Sequence, residues 1–327
     1  MKIYIANTGG TMGMMPSDHG LVANPVFAEQ LTRQLESSSE LDHEFVVHSY
    51  DTPMVAANVT PKDWQTIARD IESKWQEFDA FIVLHGTDTM AYTAAALCYM
   101  IAPSKKPIIV TGSRAPMGKA RSDAMNNVLG AVSACEANLK GVFLFFANRL
   151  IDGDRAHLSH TSDWQAFSSP KALEYGVLES DWKWRDSSFA QLLIKPPMKI
   201  RIPDMDEGAV TVLPVFPGVQ VQHWQGLLTP QVKGAVLLSY GAGTVPTTDP
   251  ELYELLKSAT DQGVVIVNVS QCEGGRIANN EACESEALAR AGVISGKDST
   301  HEAAFARLHF LIGLGLDSRE IKGVFNR

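Results

Sequence analysis

The 327-residue chain is short of positive charge. Lys and Arg total 28 against 37 Asp and Glu, giving a formal net charge of −9. That balance argues against a basic nucleic-acid binder and against a polybasic membrane anchor. Cysteine is scarce: Cys98, Cys135, Cys272 and Cys283 form no Cys-x-x-Cys pair. A chain of this size needs no disulfide staples, and all four are read as small buried hydrophobes. Long apolar runs are missing too. Phe81–Leu84 and Val142–Ala147 are among the most apolar stretches, far short of the about 20 residues of a membrane span. The opening MKIYIANTGG reaches a double glycine after a few apolar residues and is read as no signal peptide, so the cytoplasm is the expected compartment. Gly and Pro, 25 and 16 residues, exclude collagen-like and low-complexity chains. What remains is a globular enzyme of one or two domains.

Short apolar runs recur along the chain, each closed by Gly, Asn or Ser. Ile3–Ala6 leads into Asn7-Thr8-Gly9-Gly10, Ala80–Leu84 into His85-Gly86, and Pro107–Val110 into Thr111-Gly112. Val142–Ala147, Ala235–Leu238 and Val264–Val269 end in the same manner. Such runs suit a parallel sheet covered on both faces. Helix-like stretches lie between them at Thr89–Ile101, Ser122–Leu139 and Pro250–Ala259, and at His301–Leu314 behind a Ser299-Thr300 cap. Strand alternating with helix predicts an α/β fold, with ligand sites at the carboxyl ends of the strands. The stretch from about Leu192 to Gly208 breaks the rhythm with prolines at 196, 197 and 203. It is read as a hairpin or linker. The expected division is an N-terminal α/β domain over 1–190, a linker over 191–210 and a smaller α/β domain over 211–327.

Three strand-end motifs carry the polar groups. Thr8-Gly9-Gly10-Thr11-Met12-Gly13 is either a plain turn or a setting for the Thr11 hydroxyl as a nucleophile. His85-Gly86-Thr87-Asp88-Thr89-Met90 either caps the next helix through Thr87 or Asp88, or points both into a site. In Thr111-Gly112-Ser113-Arg114-Ala115-Pro116, Arg114 is an anion binder or a solvated loop residue, and Asp123 is placed to cap the following helix. The spaced glycine fingerprint of dinucleotide binding and the Gly-Lys-Ser/Thr of a phosphate loop are both missing, so no cofactor is expected. Histidines at 43, 48, 157, 160, 301 and 309 are scattered without metal-ligand spacing, and no metal is expected.

These segments resemble the bacterial L-asparaginase family, especially its cytosolic type I branch. The likeness runs nearly end to end: TGGTMGM, TPKDW at 60–64, LHGTDTMAYTAAAL at 84–97, IVTGS at 109–113, FFANRL at 145–150, AFSSP at 166–170, YGAGTVP at 240–246 and ARAGVISGKD at 289–298. The resemblance implies a larger N-terminal parallel-sheet α/β domain and a smaller C-terminal one. It also implies a homodimer or dimer of dimers, with sites near the contact between partner subunits. It implies that Thr11 attacks the side-chain amide of asparagine, that ammonia leaves, and that water releases aspartate. Thr87 would work with a lysine in moving protons, Asp88 would hold the substrate's α-amino group, and Gly86 and Asn58 would line the substrate. A small amide is the implied partner.

The chain departs from that family inside the implied site. Leu158 stands where the family has its catalytic lysine, and Leu21 where the loop tyrosine falls by ungapped spacing. Val55-Ala56-Ala57-Asn58 offers no hydroxyl where the family has a carboxylate-binding serine. Arg114 replaces a glutamine and Thr244 an asparagine. A buried Asp88 beside a leucine would carry an uncompensated charge and a raised pKa. Arg114, Arg155 and His157 are the cations placed to answer it, and His157 alone accepts a proton near neutral pH. Two functions follow: an amidohydrolase with altered chemistry, or a non-catalytic relative that binds a different small metabolite.

Overall fold

The computed structural model describes residues 1–38, 41–101, 104–185, 200–246, 249–277 and 283–326. The chain divides into two compact units, Met1–Ser169 with Leu173–Ile202, and Pro170–Ala172 with Pro203–Arg327. Of the expected linker, residues 191–199 lie outside the described residues; 200–208 form neither helix nor strand.

In the first unit, β1 (Lys2–Gly9) is followed by a hairpin of β2 (Met14–Ser17) and β3 (Gly20–Ala23), then α1 (Phe27–Glu36), β4 (Glu44–Met54) and α2 (Pro61–Ser73). Next come β5 (Ala80–Leu84), α3 (Met90–Ile101), β6 (Pro107–Thr111), α4 (Ala124–Glu136), β7 (Gly141–Phe146) and β8 (Arg149–Asp152). A two-stranded ribbon of β9 (His157–Leu158) and β10 (Phe167–Ser168) precedes β11 (Gly176–Leu178) and β12 (Trp182–Trp184). Among the described residues eight strands form the main sheet, in the order β12-β11-β8-β7-β6-β5-β1-β4. The run from β4 to β7 is parallel.

The sheet is not parallel throughout, as the apolar runs had suggested. β8 pairs antiparallel with β7, β11 with β8, and β12 with β11. The cause is local. Ala147 and Asn148, between the paired Phe146 and Arg149, adopt φ of 47° and 66°. A two-residue turn with both φ positive returns the chain beside itself, whereas a parallel neighbour needs a long crossover.

Helices cover both faces of the parallel run. Phe27, Leu31 and Leu35 recur every four residues on α1 and are buried with Ile3, Ile5 and the apolar side of α4. Each such side chain stabilises the fold by about 1.5–3 kcal/mol through burial. α2 starts at a capping box, in which the Thr60 N–H donates to Asp63 Oδ2 at 2.7 Å, with Pro61 at the first helical position. α3 packs against β6 and β7 and is buried nearly all round, so its sequence lacks a one-sided apolar stripe.

The second unit has a parallel sheet in the order β13 (Val210–Pro214), β14 (Gly234–Ser239), β15 (Val265–Ser270), β16 (Ile294–Ser295). α5 (Val221–Gln225), α6 (Pro250–Asp261) and α7 (Cys283–Arg290) supply Trp224, Leu256 and Leu288 to one core. α8 (His301–Gly313) and α9 (Ser318–Asn326) supply Leu308 and Phe325 to another. The Thr300 hydroxyl accepts from the Ala303 N–H at 3.2 Å and caps α8 as expected. Cys135 is buried and Cys98 half-buried, but Cys272 is exposed, so the reading of every cysteine as a buried hydrophobe is corrected there. Among the described residues no helix is long and apolar enough to cross a membrane.

Candidate active site

The carboxyl ends of β1, β4, β5 and β6 meet through their backbones. Thr8 Oγ1 donates to Leu84 O at 2.9 Å, tying β1 to β5. Gly9 and Gly10 then turn with φ of 133° and 91°, where a side chain is strained. Space forbids one as well: a β-carbon on Gly9 would lie 2.5 Å from Met54 O, and one on Gly10 2.6 Å from Gly86 N. The TGGT and HGTDT turns are therefore in direct contact, and both glycines of the first turn are required by it.

Thr11 opens a 3-10 turn, Thr11–Gly13, and is half-buried. A second 3-10 turn, Thr87–Thr89, leads into α3. Neither Thr87 nor Asp88 caps α3: among the described residues no backbone N–H donates to either side chain. Among the described residues the hydroxyls of Thr11 and Thr87 and the carboxylate of Asp88 have no hydrogen-bond partner, while Thr89 Oγ1 donates to Ala56 O at 2.7 Å. That bond seats the Ala56–Asn58 turn on the second motif, where the Ala56 methyl fills the space beside Gly86: a β-carbon on Gly86 would lie 2.6 Å from Ala56 Cβ. Thr89 and Ala56 were not singled out by sequence; the pairing joins loops 33 residues apart.

Asp88 is exposed, not buried. The expected uncompensated buried charge does not arise, because the 3-10 turn carries the side chain outward. Of the three cations placed to answer it, Arg114 directs its guanidinium at the carbonyls of His160, at 3.5 Å, and Thr161. Arg155 Nε lies 3.9 Å from the Asp154 carboxylate. His157 sits on β9, where Leu158 pairs with Phe167 and His157 with Ser168. Arg114 thus ties the strand-end turn of β6 to the segment just after Leu158.

Asp123 does not cap α4. Its carboxylate accepts from the N–H groups of Arg114 at 3.0 Å and Ala115 at 3.2 Å, holding the turn that carries Arg114. Asn127, buried one turn further along α4, donates to Gly112 O at 2.9 Å and accepts from the Ala147 N–H at 3.0 Å. It joins the ends of β6 and β7. Nothing in its sequence context, Met125-Asn126-Asn127-Val128, marks it.

Beside these turns a cleft of about 630 Å³ runs between β4 and α2, lined by His48, Tyr50, Met54, Asn58, Asp63 and Asp70 among others. Asn58, exposed, is the predicted site residue that lines it; Thr11, Thr87 and Asp88 do not. The Tyr50 hydroxyl donates to Asp70 Oδ2 at 2.9 Å, and burial and then the Asp70 charge push its pKa up.

Two family models cover most of the chain: the asparaginase N-terminal model matches residues 2–189, and the glutaminase/asparaginase C-terminal model residues 209–325. The chain is 38% identical to L-asparaginase 1 of Escherichia coli K12 over 331 residues, covering 98% of this chain and 94% of that one. It is 34% identical to the human 60 kDa lysophospholipase over 269 residues, 81% of this chain and 46% of that protein. The structure of L-asparaginase I from Vibrio cholerae superposes with a TM-score of 0.88 at 37% identity, covering 100% of this chain and 97% of that one. The chain belongs to the asparaginase family of amidohydrolases.

Proposed function

We propose that this protein hydrolyses the side-chain amide of L-asparagine, or of a related small amide, with Thr11 as nucleophile. The observation that carries the reading is the Gly10–Gly86 contact, which sets the unpartnered Thr11 and Thr87 hydroxyls on adjoining turns next to Asp88. Thr11 Oγ bonds to the amide carbon and gives up its proton. The C–N bond breaks and ammonia leaves with that proton. Water then cleaves the ester, releasing the carboxylate and restoring Thr11. The Thr87 N–H and neighbouring amides face the developing oxyanion. Asp88, exposed and without a protein partner among the described residues, receives the substrate ammonium group. No cofactor is needed for these steps.

The proton acceptor is the altered part. Leu158 cannot serve, and an arginine stays protonated, which sets aside Arg155 and Arg114. His157, next to Leu158, is the nearest side chain of a type that accepts a proton, and it is assigned that role. Arg114 orders the loop after Leu158, and Asn58 and Gly86 border the substrate. The lack of a hydroxyl in Val55–Asn58 widens the substrate class to amides with a different α-substituent. The working form is a cytoplasmic homodimer or dimer of dimers.

Ammonia release from asparagine, glutamine and a panel of related small amides tests the proposal, with Thr11→Ala beside the parent. Release from at least one amide that vanishes in Thr11→Ala is the expected result. If no amide yields ammonia above the Thr11→Ala background, the proposal fails. Leu158 favours the second reading, a binding protein without turnover, and calorimetric binding of an amide that is never cleaved would be its signature.

A further inference from the structure

The residue directly behind the second catalytic turn is His85. It is 2% exposed, at the end of β5, and its own N–H donates to Thr111 O at 2.8 Å. Its Nδ1 lies 2.7 Å from Gly86 O. A carbonyl oxygen only accepts, so Nδ1 carries the proton. In the neutral ring Nε2 is then an acceptor, and Thr93 Oγ1, fully buried on α3, donates to it at 3.0 Å. Both ring nitrogens are thereby satisfied and a single tautomer is selected. Burial holds the ring's pKa below its usual value, outweighing the Gly86 bond and the charges of Asp63 and Asp88, which act the other way. Burial thus favours the neutral ring with its proton on Nδ1.

The consequence lies one bond further on. The Gly86–Thr87 peptide is planar and trans, so its C=O and N–H point in opposite directions. Holding Gly86 O inward against the buried ring turns the Thr87 N–H away from that ring. Among the described residues that N–H donates to no acceptor. A half-buried donor left open beside the Thr11 turn is placed for an oxygen of the substrate.

We infer that His85 is a positioning residue for amide hydrolysis: its Nδ1–H, by holding Gly86 O, aims the Thr87 N–H at the developing oxyanion. The inference rests on the proposed threonine chemistry. It does not make His85 an acid or a base.

Two substitutions separate the ring's two sides. His85→Asn keeps a donor near the Nδ1 position, and His85→Gln keeps an acceptor near Nε2 and loses the Gly86 bond. In His85→Gln, kcat falls about tenfold or more with KM within about threefold of the parent, and His85→Asn recovers most of the loss. The pH–rate profile keeps its shape in both variants, as it would not for a lost acid or base. In the parent, nitrogen NMR of labelled histidine at about pH 7.5 finds Nδ1 protonated and Nε2 bare. A ring protonated on Nε2 overturns the inference. So does His85→Gln turning over as fast as the parent. Turnover that survives Thr11→Ala, or a parent without turnover, sinks the nucleophile reading instead; the tautomer measurement then still decides whether His85 holds the turn.

Discussion

Gly10 and Gly86 touch through their backbones: a β-carbon on Gly10 would fall 2.6 Å from the Gly86 nitrogen. The neighbours are main-chain atoms that cannot swing aside, so Gly10→Ala must separate the two turns or break the fold locally. Its φ of 91° adds about 1–3 kcal/mol of backbone strain. Gly20→Ala is the matched control, since Gly20 has a φ of 103° but nothing within 4 Å of the added carbon. Gly10→Ala is expected to lose activity at least about tenfold more than Gly20→Ala, with both melting temperatures lowered. Paired thermal melts and ammonia assays check this; equal activity in the two variants would separate the contact from catalysis.

Asn127 supplies the second structural test. Asn127→Ala strands the buried Gly112 carbonyl and the half-buried Ala147 N–H at the sheet end. An unsatisfied buried partner costs about 1–3 kcal/mol and the half-buried N–H less, so a loss of about 1–4 kcal/mol is expected in urea unfolding. A loss under about 1 kcal/mol would mean that neither bond matters to the fold.

The third prediction concerns pH. His309 on α8 is 1% exposed, and burial, opposed by Asp206, holds its pKa down to about 4. The unfolded chain binds this proton near pH 6.5, the folded chain only near 4, so stability falls as pH drops through that interval. Between pH 7 and 5 the loss from this group is on the order of 2 kcal/mol. His85, buried with its pKa also lowered, adds to it with the same sign. Chemical denaturation at the two pH values should show the drop, and His309→Gln should flatten it. An unchanged slope in His309→Gln would assign the acid sensitivity elsewhere.

Leu158→Lys tests the altered proton path. The side chain sits on β9 opposite Phe167, half-buried, so a lysine there keeps its stem packed and its ammonium free to emerge. Asparagine turnover is expected to rise about tenfold or more. A variant that folds and turns over no faster than the parent would show that the lost lysine does not limit this enzyme.

Much of the fold was legible because its strands are buried on both faces. Ala80–Leu84 and Val265–Ser270 are wholly buried, and an unbroken apolar run is the signature of that environment. β4 left no such run: it is the sheet edge, half-exposed, with His48, Tyr50 and Asp51 along it. The antiparallel return at Ala147-Asn148 was hidden because alanine seldom adopts positive φ; the Asn127 bond to its N–H helps hold it there. The strand-end threonines stood out as motifs. Their supports did not: Asp123 read as a helix cap, and Asn127 and Thr89 reach partners brought near only by folding. Asp88 was expected to be buried beside Leu158, but the 3-10 turn leaves it exposed.

The central claim is that Thr11 performs the chemistry. The most direct measurement is the rate of ammonia release by the parent and by Thr11→Ala on the amide that the parent cleaves fastest. Melting curves run alongside show that both proteins are folded. A folded Thr11→Ala protein with kcat reduced about a thousandfold or more is the predicted result. A folded Thr11→Ala protein releasing ammonia within about twofold of the parent rate would contradict the account.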